Sequence, residues 1–427
     1  MAAAGIGLAL GILALDGTDN GIEEWLPWVY QGGADGAREV LAAVAASMLT
    51  VLSVTFSVTI VALTVASQQF GPRVLHNFIR KPGPQIVLGS FIGTFLYSLI
   101  VLRSVSSESP EFVPHLSVTV GVALAALSIA ALIYFIHHVS ASIQAANILA
   151  EVAAEIDHGI ARLFPERLAR GEMDPGGPRA PDFELDVLHG EPAAVTPRAS
   201  GYIQAIDNGR IMKLATACDV VIRLERRPGD FVVDNEILAF AAPARRLEGN
   251  DCQHLRDCFL IGPRRTPSQD VTFGLSQLLE IALRALSPAS NQAYLANTCV
   301  DRLLQVLSHL AERAVPSARR YDDQGKLRVI ASPLTFTAAA DFVFDALLAP
   351  AAENYVTAKR LLEGFGALAP SLRREEDRAS VVRHAHLLHR EARAAARSED
   401  LKARMDEAYH AAVAALQSAS LGRPASS

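Results

Sequence analysis

Three long stretches without a charged residue constrain this chain more than any other feature of its sequence. Residues 40–66, 82–102 and 112–150 contain no Asp, Glu, Lys or Arg. A bilayer core about 30 Å thick needs roughly 20 apolar residues in a helix, and such runs are the signature of a membrane span. The sequence therefore predicts three spanning helices, at about 40–66, 84–103 and 115–138.

The N-terminus offers a fourth candidate span. Residues 1–15 are uncharged, but as a helix they would be only about 22 Å long. A signal peptide is the alternative, yet no Lys or Arg precedes the apolar stretch and no small-x-small cleavage site ends it. We favour a short or tilted first span, and a true start upstream of Met1 also fits.

The charges of the short loops predict the topology. Residues 16–39 carry six acids against one Arg, whereas residues 67–81 carry three basic residues and no acid. The positive-inside rule places the basic loop in the cytoplasm. The long tail after residue 139 is then cytoplasmic as well.

The basic loop has the pattern of an interfacial helix. Its apolar residues recur at helical spacing between basic residues, as in helices that lie flat on anionic lipid. A plain connecting turn is the alternative. The predicted lipid-facing residues are Phe70, Arg73, Phe78, Arg80 and Lys81.

Small residues within the spans predict helix packing. Gly89 and Gly93 form a GxxxG pair, which lets helices approach closely within or between chains. Ser57 belongs to a hydroxyl-rich face in the second span. Hydroxyls in spans mostly bond to their own helix or join helices, so we assign Ser57 to packing. A pore lined by this face is the alternative.

The tail has an ordinary soluble composition, since 71 of the 84 charged residues follow residue 140. Its acidic balance argues against nucleic-acid binding. Periodicity and turn signals predict a mostly helical α+β domain with a small barrel-like β module. The predicted segments are a helical stalk at 141–165, a linker at 166–185, a β-rich module at 186–262, a helical domain at 263–421 and a disordered end at 422–427.

Searches for local chemistry return few candidates. The sequence contains no phosphate-binding glycine loop, no HExxH and no GxSxG. Cys252 and Cys258 flank His254 without completing a zinc site. His384, His386 and His389 are predicted to be solvated surface residues. We predict no catalytic residue, metal or cofactor.

One loop suggests an anion site. Arg264 and Arg265 follow a predicted strand and precede a helix that begins near Asp270. An anion bound there would meet a helix N-terminus. The structural alternative is a charged loop in which Asp270 caps the helix.

Several motifs resemble a bacterial family of predicted membrane proteins, domain-of-unknown-function family 2254. The motifs are Ala66–Arg73 (ASQQFGPR), Gln85–Gly89 (QIVLG), Gly201–Asp207 (GYIQAID), Arg227–Val233 (RPGDFVV), Phe273–Leu275 (FGL) and Arg284–Pro288 (RALSP). The resemblance implies a bacterial inner-membrane protein with four N-terminal spans and a cytoplasmic tail. It implies no activity.

The chain departs from this family pattern at two turns. The family usually has Asn-Asp-Pro where this chain has Asn291, Gln292 and Ala293, and an acid followed by Gly where it has Asp234 and Asn235. If the missing carboxylate binds a ligand in relatives, this chain lacks that contact. We retain Asn291 with Arg264, Arg265 and Asp270 as candidate ligand-binding residues.

Three functions remain open. The first is a non-catalytic membrane-anchored sensor or scaffold, whose tail binds an anionic ligand or a cytoplasmic protein. The second is an oligomeric channel or passive transporter, and the third is an enzyme acting in the tail. We favour the first, with the bilayer and other copies of the chain as further partners.

Overall fold

The structure, a computed structural model, describes residues 1–17, 29–70, 82–107, 112–142, 144–164 and 191–421. The chain divides into two compact units, Met1–Ile148 and Leu149–Ser427. Residues 71–81 of the predicted interfacial loop, the linker at 166–185 and the end at 422–427 lie outside the described residues.

The first unit consists of apolar helices. They are α1 (Ala2–Asp16), α2 (Ala34–Phe70), α3 (Pro82–Ser104) and α4 (His115–Ser142). Three segments within the last three are long and apolar enough to cross a membrane: Ala34–Gln68, Gln85–Ser104 and His115–Val139. The prediction of three apolar helices of spanning length is confirmed, and α1 is a shorter apolar helix.

Hydrogen bonds join the end of α1 to the start of α4. The carboxylate of Asp16, the last residue of α1, accepts hydrogen bonds from the backbone N–H groups of Leu116 (3.0 Å) and Ser117 (2.9 Å). These groups belong to the first turn of α4, where backbone donors have no partner within the helix. Tyr97 of α3 is fully buried and donates to the Ser117 carbonyl at 2.8 Å. Three helices therefore meet at the start of α4.

The second unit is mostly helical. The helix α5 (Ala145–Leu163) leads into it, and buries Val152, Ile156 and Ile160 on one face. Two short helices lie among the strands, and six longer ones follow them. These helices are α6 (Asn208–Ala217), α7 (Asp251–Arg256), α8 (Val271–Leu286), α9 (Ala293–Glu312), α10 (Phe336–Ala352), α11 (Tyr355–Leu368), α12 (Glu375–Ala395) and α13 (Glu399–Leu421).

The strands form two open sheets rather than a barrel. In the described residues the sheet orders are β1-β5-β3-β8-β7 and β4-β2-β6. The strands are β1 (Ala193–Val195), β2 (Gly201–Ile206), β3 (Val221–Leu224), β4 (Phe231–Val232), β5 (Ala239–Ala242), β6 (Phe259–Gly262), β7 (Arg319–Tyr321) and β8 (Leu327–Ile330).

The predicted barrel-like module does not close because its strands divide between these sheets. Strand β3 pairs in parallel with β8, with Ile222 opposite Val329, and so recruits strands from beyond residue 262. The inner faces of both sheets and helix α6 form one hydrophobic core. Ile203, Val232, Ile222 and Ile211 are completely buried in this core. The β region is therefore a two-sheet core that extends into the predicted helical domain.

Candidate functional site

The loop of residues 263–270 joins β6 to α8 and ends in a buried carboxylate. Asp270 is only 3 % exposed. Its Oδ1 accepts hydrogen bonds from the backbone N–H of Phe273 (3.1 Å) and the hydroxyl of Thr272 (2.6 Å). Asp270 is therefore the N-cap of α8, which satisfies a backbone donor of the first turn.

The second oxygen of Asp270 pairs with Arg265. Nε and Nη2 of Arg265 donate to Asp270 Oδ2 at 2.8 and 2.6 Å, and Nη2 also reaches the Thr272 hydroxyl at 2.7 Å. The guanidinium lies 5.6 Å from the centre of the Phe273 ring, within cation–π range. The chain's own carboxylate thus occupies the predicted anion position, as the structural alternative anticipates. A ligand role for these residues stays a prediction.

A glycine turn closes over this ion pair. Gly229 has φ +98°, a conformation that favours glycine, and a Cβ built on it would overlap Oδ2 of Asp270. Its N–H donates to the carbonyl of Ile203 on β2 at 2.8 Å. The Arg-Pro-Gly-Asp motif therefore brings backbone against a buried carboxylate, which is a physical reason for glycine at this position.

Two glutamines fix the loop to β2. Nε2 of Gln204 donates to the carbonyl of Arg264 at 2.8 Å. The side chain of Gln269 accepts from the N–H of Ile206 at 2.9 Å and donates to its carbonyl at 3.2 Å. The side chain of Arg264 is exposed. The loop is thus a fixed structure that presents one cationic side chain to solvent.

Asn291 does not join this group. It follows the C-terminal end of α8, about 24 Å along the helix from Asp270. Its φ is +45° and its N–H donates to the carbonyl of Ser287 at 2.9 Å. Asn tolerates this left-handed conformation better than most residues. The structure therefore gives Asn291 a backbone role in the turn between α8 and α9.

The departure from the family pattern beside Asn291 falls on a helix cap. Gln292 is the N-cap residue of α9 and makes no side-chain cap hydrogen bond. Asp at an N-cap and Pro at the next position both favour helix initiation. The Asp-Pro pair of the family pattern would occupy these two positions. An Asp-Pro pair at these positions would therefore favour the start of α9.

Helix α8, which the loop leads into, packs directly against α5. Gly274, one turn into α8, faces Ile156 so closely that a Cβ on Gly274 would overlap Cγ1 of that side chain. Asp157, the next residue of α5, contacts Nδ1 of His309 at 2.9 Å and Nε2 of Gln305 at 3.3 Å. Helix α5 is thus held against both α8 and α9.

The packing residues predicted in the spans have different surroundings. Gly89 and Gly93 of α3 lie against α1: a Cβ on Gly89 would lie 2.8 Å from Cβ of Met1, and a Cβ on Gly5 would meet the Gly93 carbonyl. Ser57 is exposed on α2, and its hydroxyl donates to the Ser53 carbonyl at 2.9 Å. Its packing role therefore stays a prediction. Phe70 ends α2, whereas Arg73, Phe78, Arg80 and Lys81 lie outside the described residues.

The prediction of solvated histidines is wrong for His384, which lies on α12 and is fully buried against α10. Its Nδ1 lies 2.8 Å from the carbonyl of Ser380 and its Nε2 lies 3.0 Å from Asp345 Oδ1. Asp341 accepts from the hydroxyl of Ser380 at 2.9 Å. The sequence analysis missed these buried polar contacts between α10 and α12. The four-residue spacing of Asp341 and Asp345, which places both on one face of α10, is a signal for them.

The other two histidines of the cluster face α13. The ring of His389 stacks on Tyr409 with centroids 4.3 Å apart, and its Nε2 contacts Asp406 at 2.6 Å. This hydrogen bond lowers the pKa of Asp406. His386 Nδ1 lies 2.7 Å from the Tyr409 hydroxyl. In the part of the chain that the structure describes, no three His, Cys, Asp or Glu side chains are arranged to hold a metal ion.

Three thiols and one carboxyl in the tail are shifted toward their neutral forms. Burial raises the pKa of Cys218 to about 11 and that of Cys299 to about 12. Burial also raises the pKa of Cys258 and of the Asp377 carboxyl, which is 1 % exposed. Thiols in this state are poor nucleophiles, because the thiolate is the reactive form.

Comparison with known proteins gives a family without an assigned activity. The family model described as "Predicted membrane protein (DUF2254)" matches residues 1–367. Uncharacterized proteins of Mycobacterium bovis and Mycobacterium tuberculosis are 37 % identical over 311 residues, which cover 70 % of this chain and 57 % of each relative. The chain thus spans just over half the length of these curated relatives. No solved structure matches the chain.

Proposed function

The chain belongs to the DUF2254 family of predicted membrane proteins, and we propose that it is a membrane-anchored, non-catalytic sensor or scaffold. In this proposal the tail is cytoplasmic, the membrane is the bacterial inner membrane, and the tail binds an anionic ligand or a partner protein. The positive-inside rule supports the orientation. The exposed Arg264 beside the Arg265–Asp270 pair supports the ligand class.

The contact between α8 and α5 carries the proposal. The candidate loop caps α8 through Asp270, and one turn later Gly274 receives the side chain of Ile156 from α5. Helix α5 begins at Ala145, shortly after the last candidate span ends in the sequence. A ligand that shifts the loop would therefore act on the helix that leads back to the membrane.

The polar groups of the loop support binding better than catalysis. Both oxygens of Asp270 and the Nε and Nη2 groups of Arg265 take part in hydrogen bonds within the loop and the first turn of α8. A general acid, base or nucleophile needs a proton or lone pair that reaches a substrate. We therefore place the enzyme hypothesis last.

Hydrogen exchange of the full-length protein in nanodiscs tests the proposal. Inorganic phosphate, ATP and glycerol phosphate are the probes, and the amides of residues 262–286 and 149–164 are followed. We expect one probe to slow exchange in both segments. Arg264→Glu should abolish this protection, whereas Arg245→Glu, which reverses another exposed charge, should preserve it.

The outcomes separate a ligand from a protein partner. If no probe changes exchange but a protein copurifies with the wild type and is lost with Arg264→Glu, the tail is a scaffold. Unchanged exchange with every probe, together with no partner that depends on Arg264, would overturn the proposal.

An oligomeric channel is the second candidate, and the exposed hydroxyls of α2 favour it. Ser47, Thr50, Ser53 and Ser57 are all exposed on a single copy of the chain. Each donates its proton to a carbonyl of its own helix three or four residues earlier, and its oxygen can still accept a hydrogen bond from water in a pore. Solute flux through reconstituted liposomes that Ser57→Leu abolishes would support the channel instead.

A further inference from the structure

We draw no further inference here: the strongest candidate, the exposed apolar surface that Phe231, Val233 and Leu260 form at the three-stranded sheet, carries no proposal because nothing in the structure shows what covers it.

Discussion

Replacing Gly274 with alanine tests how tightly α8 holds α5. The new methyl group would overlap Cγ1 of Ile156, a side chain that is only 4 % exposed. Overpacking a core costs about 1–3 kcal/mol. Alanine also stabilises a helix interior relative to glycine, by about 1 kcal/mol. The two effects together predict that Gly274→Ala lowers the free energy of unfolding by up to about 2 kcal/mol.

Gly159 provides a matched control on the facing helix. A Cβ on Gly159 would lie 3.9 Å from Cγ2 of Val271, which is ordinary van der Waals contact. Gly159→Ala should therefore keep the helix-propensity gain and raise the free energy of unfolding by about 1 kcal/mol. The same chemical change at two positions of one interface should thus differ in stability by about 1–3 kcal/mol.

Hydrogen exchange of the full-length protein in nanodiscs measures these differences locally, through the opening free energies of α5 and α8. Ile156→Ala removes the atom that Gly274→Ala would overlap, so the double variant should be more stable than the sum of the single effects predicts. We expect a coupling of about 1 kcal/mol or more in this double-mutant cycle. Equal stability of the two glycine variants, or no coupling, would refute the packing argument.

Three further changes have signs fixed by the structure. Gly229→Ala should lower the free energy of unfolding by about 2–4 kcal/mol, because it places a side chain at a left-handed position and overlaps Asp270. Gly325 also has a left-handed φ, +76°, but open space around it. In the same thermal unfolding assay, Gly325→Ala should therefore lower stability by only about 1 kcal/mol. Gln292→Asp should supply the side-chain cap of α9 and raise stability by about 0.5–1 kcal/mol, whereas Gln292→Ala should change little, as urea unfolding can show. Burial raises the pKa of Asp377, so its contribution to the free energy of unfolding is greatest below the pKa of the unfolded chain and is lost as pH rises through the folded value. The melting temperature of the wild type should therefore fall as pH rises above about 4, and Asp377→Asn should make this fall smaller. Parallel pH profiles of the two proteins would contradict the prediction.

The spans were predictable because their physics is local. An uncharged run of 20 residues has few alternatives to a membrane helix, so composition alone located the segments that became α2, α3 and α4. The back-bonding of the α2 hydroxyls was predictable for the same reason, since a helix places each hydroxyl beside the carbonyl three or four residues earlier. Neither prediction required knowledge of tertiary contacts.

The sheets were less predictable because strand pairing is not local. Runs of β-branched and aromatic residues are typical of strands, and an Arg-Pro-Gly-Asp sequence is typical of a turn, so a β-rich module was predictable. The parallel pairing of β3 with β8 joins residues more than 100 positions apart. Alternation within each strand carries no information about that partner, so the barrel-like arrangement was a natural but wrong expectation.

The contacts of the candidate site were only partly predictable, because some of them join residues that are distant in the sequence. Sequence reasoning placed Arg265 and Asp270 at a helix N-terminus and proposed capping as the structural alternative. It had no means of locating Gly229 above the carboxylate, because that contact depends on the pairing of β2 with β4. The buried His384 was missed because its partners lie on α10, about 40 positions earlier.

Three of the motifs that resemble the family, at 201–207, 227–233 and 273–275, meet at one structural joint. Gly229 and Gly274 belong to these motifs, and a larger residue at either position would overlap a neighbouring side chain. Asp270 lies at the end of the loop before α8 and forms an ion pair with Arg265. Such residues hold β2, α8 and α5 in a fixed arrangement. Restrictions of this kind specify geometry, and in the proposed function the ligand contacts belong to exposed residues such as Arg264.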